Sequence, residues 1–137
     1  MISVSAPTGS YILQPSLVEM HRKSLDWLSA TLLWQREIVF FQKLLDGYSQ
    51  KYSSIHDKKQ IDHFQNLIIY YSGELVVELR KKLRLHESRM AQMLQEKNES
   101  DAPYYQEHRD LMGELSSFND RYNSFKHELF DFIELAM

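Results

Sequence analysis

The chain has 137 residues, 43% of them apolar and 26% charged, with four Gly, three Pro and no Cys. That length builds one domain around one core, and Gly plus Pro, about 5% of the chain, are too few for an all-β fold, which turns every 8–12 residues or so. The lack of Cys excludes disulfide scaffolds, zinc ribbons and cysteine nucleophiles, and a net charge of −3 is not the balance of a general nucleic-acid binder.

The first residues, MISVSAPTGSYILQP, carry neither the basic start nor the apolar run of a signal peptide. They read as an extended arm over 1–15, ahead of a helical domain over 16–137. No stretch approaches the roughly 18 apolar residues of a membrane span, so the expectation is a cytoplasmic protein with no membrane partner.

Pro occurs at 7, 15 and 103, which leaves residues 16–102 free of it and rich in Leu, Glu, Lys and Gln, a composition that favours helix. Ser16-Leu17-Val18-Glu19 reads as a capping box after Pro15. From it runs a seam spaced by three and four: Leu17, Met20, Ser24, Trp27, Thr31, Trp34, Ile38, Phe41, Leu45, Tyr48. This predicts a first helix over 16–52, ended by Gly47 and the polar run that follows it.

Ser54-Ile55-His56-Asp57 caps a second helix, over 54–98. Its seam (Ile61, Phe64, Ile68, Ser72, Leu75, Leu79, Leu83, His86, Met90, Leu94) steps mostly by four, the period of a straight or slightly right-handed helix. Asp101 caps the third, over 102–136, with Pro103 in the tolerant first turn and a heptad seam from His108 through Leu115, Tyr122 and Leu129 to Ala136. Short connections make neighbours antiparallel, so the predicted fold is all-α: an elongated up-down-up three-helix bundle. At common heights Trp34 falls opposite Ser72-Gly73, where the missing Cβ admits the indole to the facing backbone. Trp27 falls near Arg80 and Arg121, a cation–π arrangement.

Apolar residues exceed these seams. In the first helix Leu25, Leu32 and Val39 share one heptad position, and Leu33 and Phe40 the next; in the second, Leu67, Ile69, Tyr70, Val76 and Val77 lie outside the seam at the same end. A bundle helix needs one apolar stripe, and a wider one calls for further neighbours. We take Leu25, Leu32, Leu33, Val39, Phe40, Ile69 and Val76 as anchors of an interface, expected to join two copies into a six-helix body, with a partner helix in the same groove as the alternative.

Metal and phosphate chemistry are the competing readings. His21, His86 and Glu114 fall near one height and would suit Zn²⁺ or Fe²⁺ if they converged, although a seam histidine ordinarily packs with one ring nitrogen hydrogen-bonded. The Glu-x-x-His pair of a diiron bundle does not occur. Arg80, Lys81, Lys82 and Arg84, with Arg89, form a basic cluster able to meet phosphate. Glu114 and Asp120 lie level with it, and ion pairing between helices is the plainer role. No phosphate loop, nucleophile elbow or zinc-protease motif is present, so no catalytic residue and no cofactor is assigned.

The stretches 34–46 (WQREIVFFQKLLD) and 61–66 (IDHFQN) resemble parts of an uncharacterised family of small all-helical bacterial proteins. The resemblance implies an all-α, cytoplasmic, bacterial protein and carries no activity or site residue with it. The expected function is therefore non-enzymatic: a structural or regulatory helical interaction module.

Overall fold

A computed structural model describes residues 15–98 and 101–137. The chain forms α1 (Pro15–Tyr48), α2 (Ile55–Tyr70), α3 (Val76–Gln95) and α4 (Ala102–Glu134), with no strand among the described residues. A 3₁₀ turn (Ser49–Lys51) follows α1, and a π-helical turn (Tyr71–Leu75) joins α2 to α3 so that the two run on as one rod. The three rods form the expected all-α bundle. The predicted arm lies outside the described residues except for Pro15, which belongs to α1, where its fixed φ and absent N–H suit a helix start. Glu19 is engaged by Arg22, one turn on, at 2.5 Å.

Side-chain contacts give the direction of each rod. Between α1 and the middle rod, Gln42 and Gln65 exchange amide hydrogen bonds of 2.8 and 2.7 Å, Arg80 donates to Thr31 Oγ1 at 2.8 Å, and His21 Nδ1 lies 2.6 Å from Glu87 Oε2. Numbers rise along one rod as they fall along the other, which is antiparallel. Against α4, Trp34 meets Phe118 at 4.7 Å between ring centroids and Phe41 meets Phe125 at 6.1 Å, so α1 and α4 run parallel. At 34 residues α1 is about 50 Å long.

Two of the three caps are those the sequence specifies; the Ser16–Glu19 capping box is not formed, because α1 already starts at Pro15 and Glu19 turns to Arg22. Ser54 Oγ accepts the Asp57 N–H at 3.0 Å, and Asp101 accepts the Tyr104 N–H at 3.1 Å with Pro103 in the first turn. At the end of α3, Lys97 takes the left-handed conformation at φ 55° while the Asn98 N–H reaches back to the Met93 carbonyl. That is a Schellman-type close, with Lys where Gly is commoner.

The first and third seams pack largely as read: Leu17, Ser24, Thr31, Trp34, Ile38, Phe41 and Leu45 are buried in α1, with Met20, Trp27 and Tyr48 half covered, and His108 through Phe132 are buried in α4. The middle rod departs from its reading. Its buried residues are Phe64, Ile68, Tyr71, Val76, Leu79, Leu83, His86, Met90 and Met93, with Ser72, Leu75 and Leu94 only half covered. The spacing is heptad except for one step of five, Tyr71 to Val76, which spans the π turn. The rod is thus two heptad halves joined by one inserted residue, and not a helix of longer period.

Two local expectations are corrected. Gly73 has open space where a Cβ would stand, so it admits no indole; it sits exposed in the π turn. Trp27 lies 5.9 Å from Trp34, ring to ring, and the cations over rings among the described residues are Lys51 on Tyr48 and Lys126 on Tyr122. A ladder of rings from Trp34 through Phe118, Tyr122, Tyr71 and Phe125 to Phe64 fills the half of the bundle toward Tyr52, each contact adding about 0.5–1.5 kcal/mol beyond burial.

Deleting Gly73 should turn the π turn into α-helix and leave a regular three-four seam. We expect full helical circular dichroism and a stability within about 1 kcal/mol of the parent. Deleting Ser88 should instead swing Met90 and Met93 out of the core and cost several times that, as read by urea unfolding.

Candidate functional site

Two features stand apart from ordinary bundle packing: an apolar outer face and a buried polar belt. The outer face belongs to α1 and its neighbour α2. Leu25, Leu32, Leu33, Val39, Phe40 and Ile69 are 46–58% exposed. Leu32, Val39 and Phe40 frame a shallow depression with Gln35, Arg36 and Lys43 at its edge. Helical geometry explains the arrangement: α1 turns its seam to the core, Gln35 and Gln42 toward the middle rod and Glu37 toward α4, which leaves these side chains pointing outward.

One predicted anchor is wrong. Val76 is wholly buried. The residue inserted at the π turn rotates everything after it by one position, so Val76 enters the seam. Val77 takes the outer position, 49% exposed. Leu85, further along α3, is also exposed, as is Phe130 on α4. Val76 and Val77 both belong to the apolar surplus read from the sequence; the insertion decides which of the two is outside.

The polar belt divides the core. A large apolar cluster ends at Leu83 and Leu111, and a smaller one begins at Leu17, Met90, Met93 and Tyr104. Between them, His86 and His108 are buried with Nε2 and Nδ1 at 2.8 Å, and the His86 ring stacks on Tyr104 at 4.4 Å. His86 Nδ1 lies 3.1 Å from Glu107, which also accepts from Arg89 at 2.5 Å; Arg89 bonds in turn to the cap residue Asp101 at 3.1 Å. With its Nδ1–H directed to Glu107, a neutral His86 offers Nε2 as acceptor, and His108 donates its Nδ1–H. The Ser24 and Tyr104 hydroxyls and Glu87 Oε1 are buried without a hydrogen-bond partner.

The constellation His21, His86 and Glu114 does not converge. His21 pairs with Glu87 and His86 with Glu107 and His108, while Glu114 turns to Lys82 at 2.8 Å. Among the described residues no group of three or more His, Asp or Glu is placed to hold a metal ion. Spacing along one helix does not reveal the His86–His108 pair, because the two residues belong to seams of different helices.

The basic cluster is also largely engaged. Arg80 bonds Thr31, Lys82 bonds Glu114 and Arg89 bonds Glu107 and Asp101, leaving Lys81 and Arg84 exposed beside Gln35, Val77 and Leu85. Its members point to three sides of α3, as consecutive helical residues must.

In comparison with known proteins, no family model matches the chain and no curated protein or solved structure matches it. This is consistent with the uncharacterised family that segments 34–46 and 61–66 resemble. No helix among the described residues is long and apolar enough to cross a membrane.

The belt has a pH signature. Burial, reinforced by His86 and by Lys23 on α1, pushes His108 down to about 4. The unfolded chain, with an ordinary histidine near 6.5, then takes the proton first. The contribution of His108 to stability is therefore full above about pH 7 and is expected to be lost as pH drops from about 6.5 toward 4, by about 3 kcal/mol at most. Charged groups around the pair are Glu107 on α4, Arg89 on α3 and Lys23 on α1. Urea midpoints at pH 7.5, 5.5 and 4.5 read the loss, and His108→Gln should flatten it.

Proposed function

We propose that the protein is a non-enzymatic helical interaction module, structural or regulatory, that works by docking a second copy of itself through the outer face of α1 and the adjoining part of α2. The observation that carries this is the group of side chains, Leu32, Leu33, Val39, Phe40 and Ile69, each more than half exposed on two neighbouring helices. They lie at the aromatic-rich end, where both rods have already filled their seams.

Scattered apolar residues on a surface need no explanation, but a contiguous group does. Covering the exposed half of each gains on the order of 1 kcal/mol per residue. The polar rim is present as well: Gln35, Arg36 and Lys43 border the depression, the arrangement of a dry centre with a wet edge found at protein interfaces. Metal and phosphate readings lose support because Glu114 and Lys82 neutralise each other and Arg80 is turned inward to Thr31.

Light scattering and sedimentation on the purified chain should give twice 16.4 kDa. Replacing Leu33 and Phe40 together by Glu places four charges in the contact of a two-fold dimer and should halve that mass with unchanged helical circular dichroism. A parent chain that sediments as a monomer at about 100 μM defeats the proposal.

A further inference from the structure

Charged residues are spread along the exposed stripe of α1. Between Arg22 and Gly47 the exposed charged residues of α1 are Arg22, Lys23 and Asp26 toward the start of the stripe, Arg36 near its middle, and Lys43 and Asp46 toward its finish, with Asp26 on the edge that borders Met112 of α4. Asp26 and Lys43 are equally far, about 8.5 residues, from a point between Trp34 and Gln35. Arg22 and Asp46 are equidistant from it to within one residue. Resting on the self-docking reading above, we infer that α1 pairs with α1 of a second copy, antiparallel, about a two-fold axis at that point.

In that register Asp26 faces Lys43 of the other copy, twice by symmetry, and Arg22 comes beside Asp46. Arg22 is already held by Glu19, and Asp46 accepts from its own Gln42 at 2.8 Å; both remain exposed and able to join a wider network. The shapes agree with the charges. Phe40 meets Ser29, a large side chain over a small one, and Arg22 meets the open position at Gly47. Leu33 lies under the aliphatic stem of Arg36, which long basic residues use to cover apolar surface.

The parallel alternative sets Asp26 on Asp26 and Lys43 on Lys43, like charges that the antiparallel register separates by several turns. Like charges across an interface select against a register. The two-fold geometry also carries both middle rods to one side and both α4 helices to the other, giving two layers of three helices. Ile69 and Val77 then flank the α1 pair on the side of the middle rods, continuing the apolar stripe past Val39.

Charge exchange tests the register in the full chain. Asp26→Lys and Lys43→Asp should each weaken dimerisation at least tenfold by sedimentation, and the double variant should return to within about threefold of the parent. A double variant as weak as the product of the two singles overturns the register. The chain has no Cys, so an introduced thiol reports geometry without interference. In the antiparallel register position 36 and its mate are offset by about 4.5 Å along the helices, within disulfide reach, whereas position 22 and its mate are separated by several turns.

Arg36→Cys should therefore oxidise to a covalent dimer and Arg22→Cys should not. Covalent dimers from both overturn the antiparallel arrangement and leave self-docking standing; covalent dimers from neither, with a dimeric mass, place the contact on another face and overturn the register. A monomeric parent overturns both this inference and the reading beneath it.

Discussion

A helix packed against two neighbours can shelter one stripe of its surface, and the rest must face water or another molecule. This constraint governs the present structure. In α1 the sheltered stripe is filled by residues from Leu17 to Leu45. Gln42 and Gln65 close one flank, and Glu37, held by Tyr122 at 3.1 Å, closes the other. Leu32, Leu33, Val39 and Phe40 are then outside by geometry, because no rotation of α1 buries them without expelling Trp34 and Ile38. The proposed self-association follows from that conflict more than from any single contact.

The bundle is chemically uneven along its length. Toward Tyr52 the core is a ladder of aromatic rings; Tyr122 sits within it, and burial together with the Glu37 carboxylate raises its hydroxyl above the ordinary tyrosine range. Toward the α3–α4 turn the core narrows to a small cluster behind the His86–His108 belt. Buried polar layers cost stability where groups stay unsatisfied, as the Ser24 and Tyr104 hydroxyls are here, and in some proteins they specify which helix faces which. Here the chain of contacts from His86 through Glu107 and Arg89 to Asp101 ties α3 to the cap of α4. The belt thus reads as a device of registry between two rods, and the apolar outer face is the surface on which the proposed self-docking rests.

The π turn shows how one local feature reaches both fold and surface. One extra residue between Ile68 and Leu79 resets the rod so that Tyr71 and Val76 both point inward. Without it, either the first half or the second half of the rod would lose its seam. The exposed position of Gly73 fits this role, since a side chain there would touch nothing. The insertion also decides that Val77, and not Val76, faces outward with Ile69.

Much of the architecture was legible in the residues themselves. Three-four spacing marked the α1 and α4 seams, Ser54 and Asp101 marked the caps, and six of the seven expected outer anchors are exposed because a regular helix carries a repeating pattern through space unchanged. The mean period of the middle rod was legible too, but not how it was made up: a run of four-residue steps and a pair of heptad halves with one insertion average to similar spacings. Partner choice was likewise beyond one-dimensional reading. Whether Glu114 meets a histidine or Lys82, and whether His86 meets Glu107 or His21, depends on rotations of a fraction of a turn between neighbouring rods. The sequence determined the helices, their caps and their apolar surplus, since each follows from interactions within a few residues along one strand of chain. The tertiary structure alone decided which side of the middle rod faces inward and which polar groups close on one another, since those depend on how separate rods lock together.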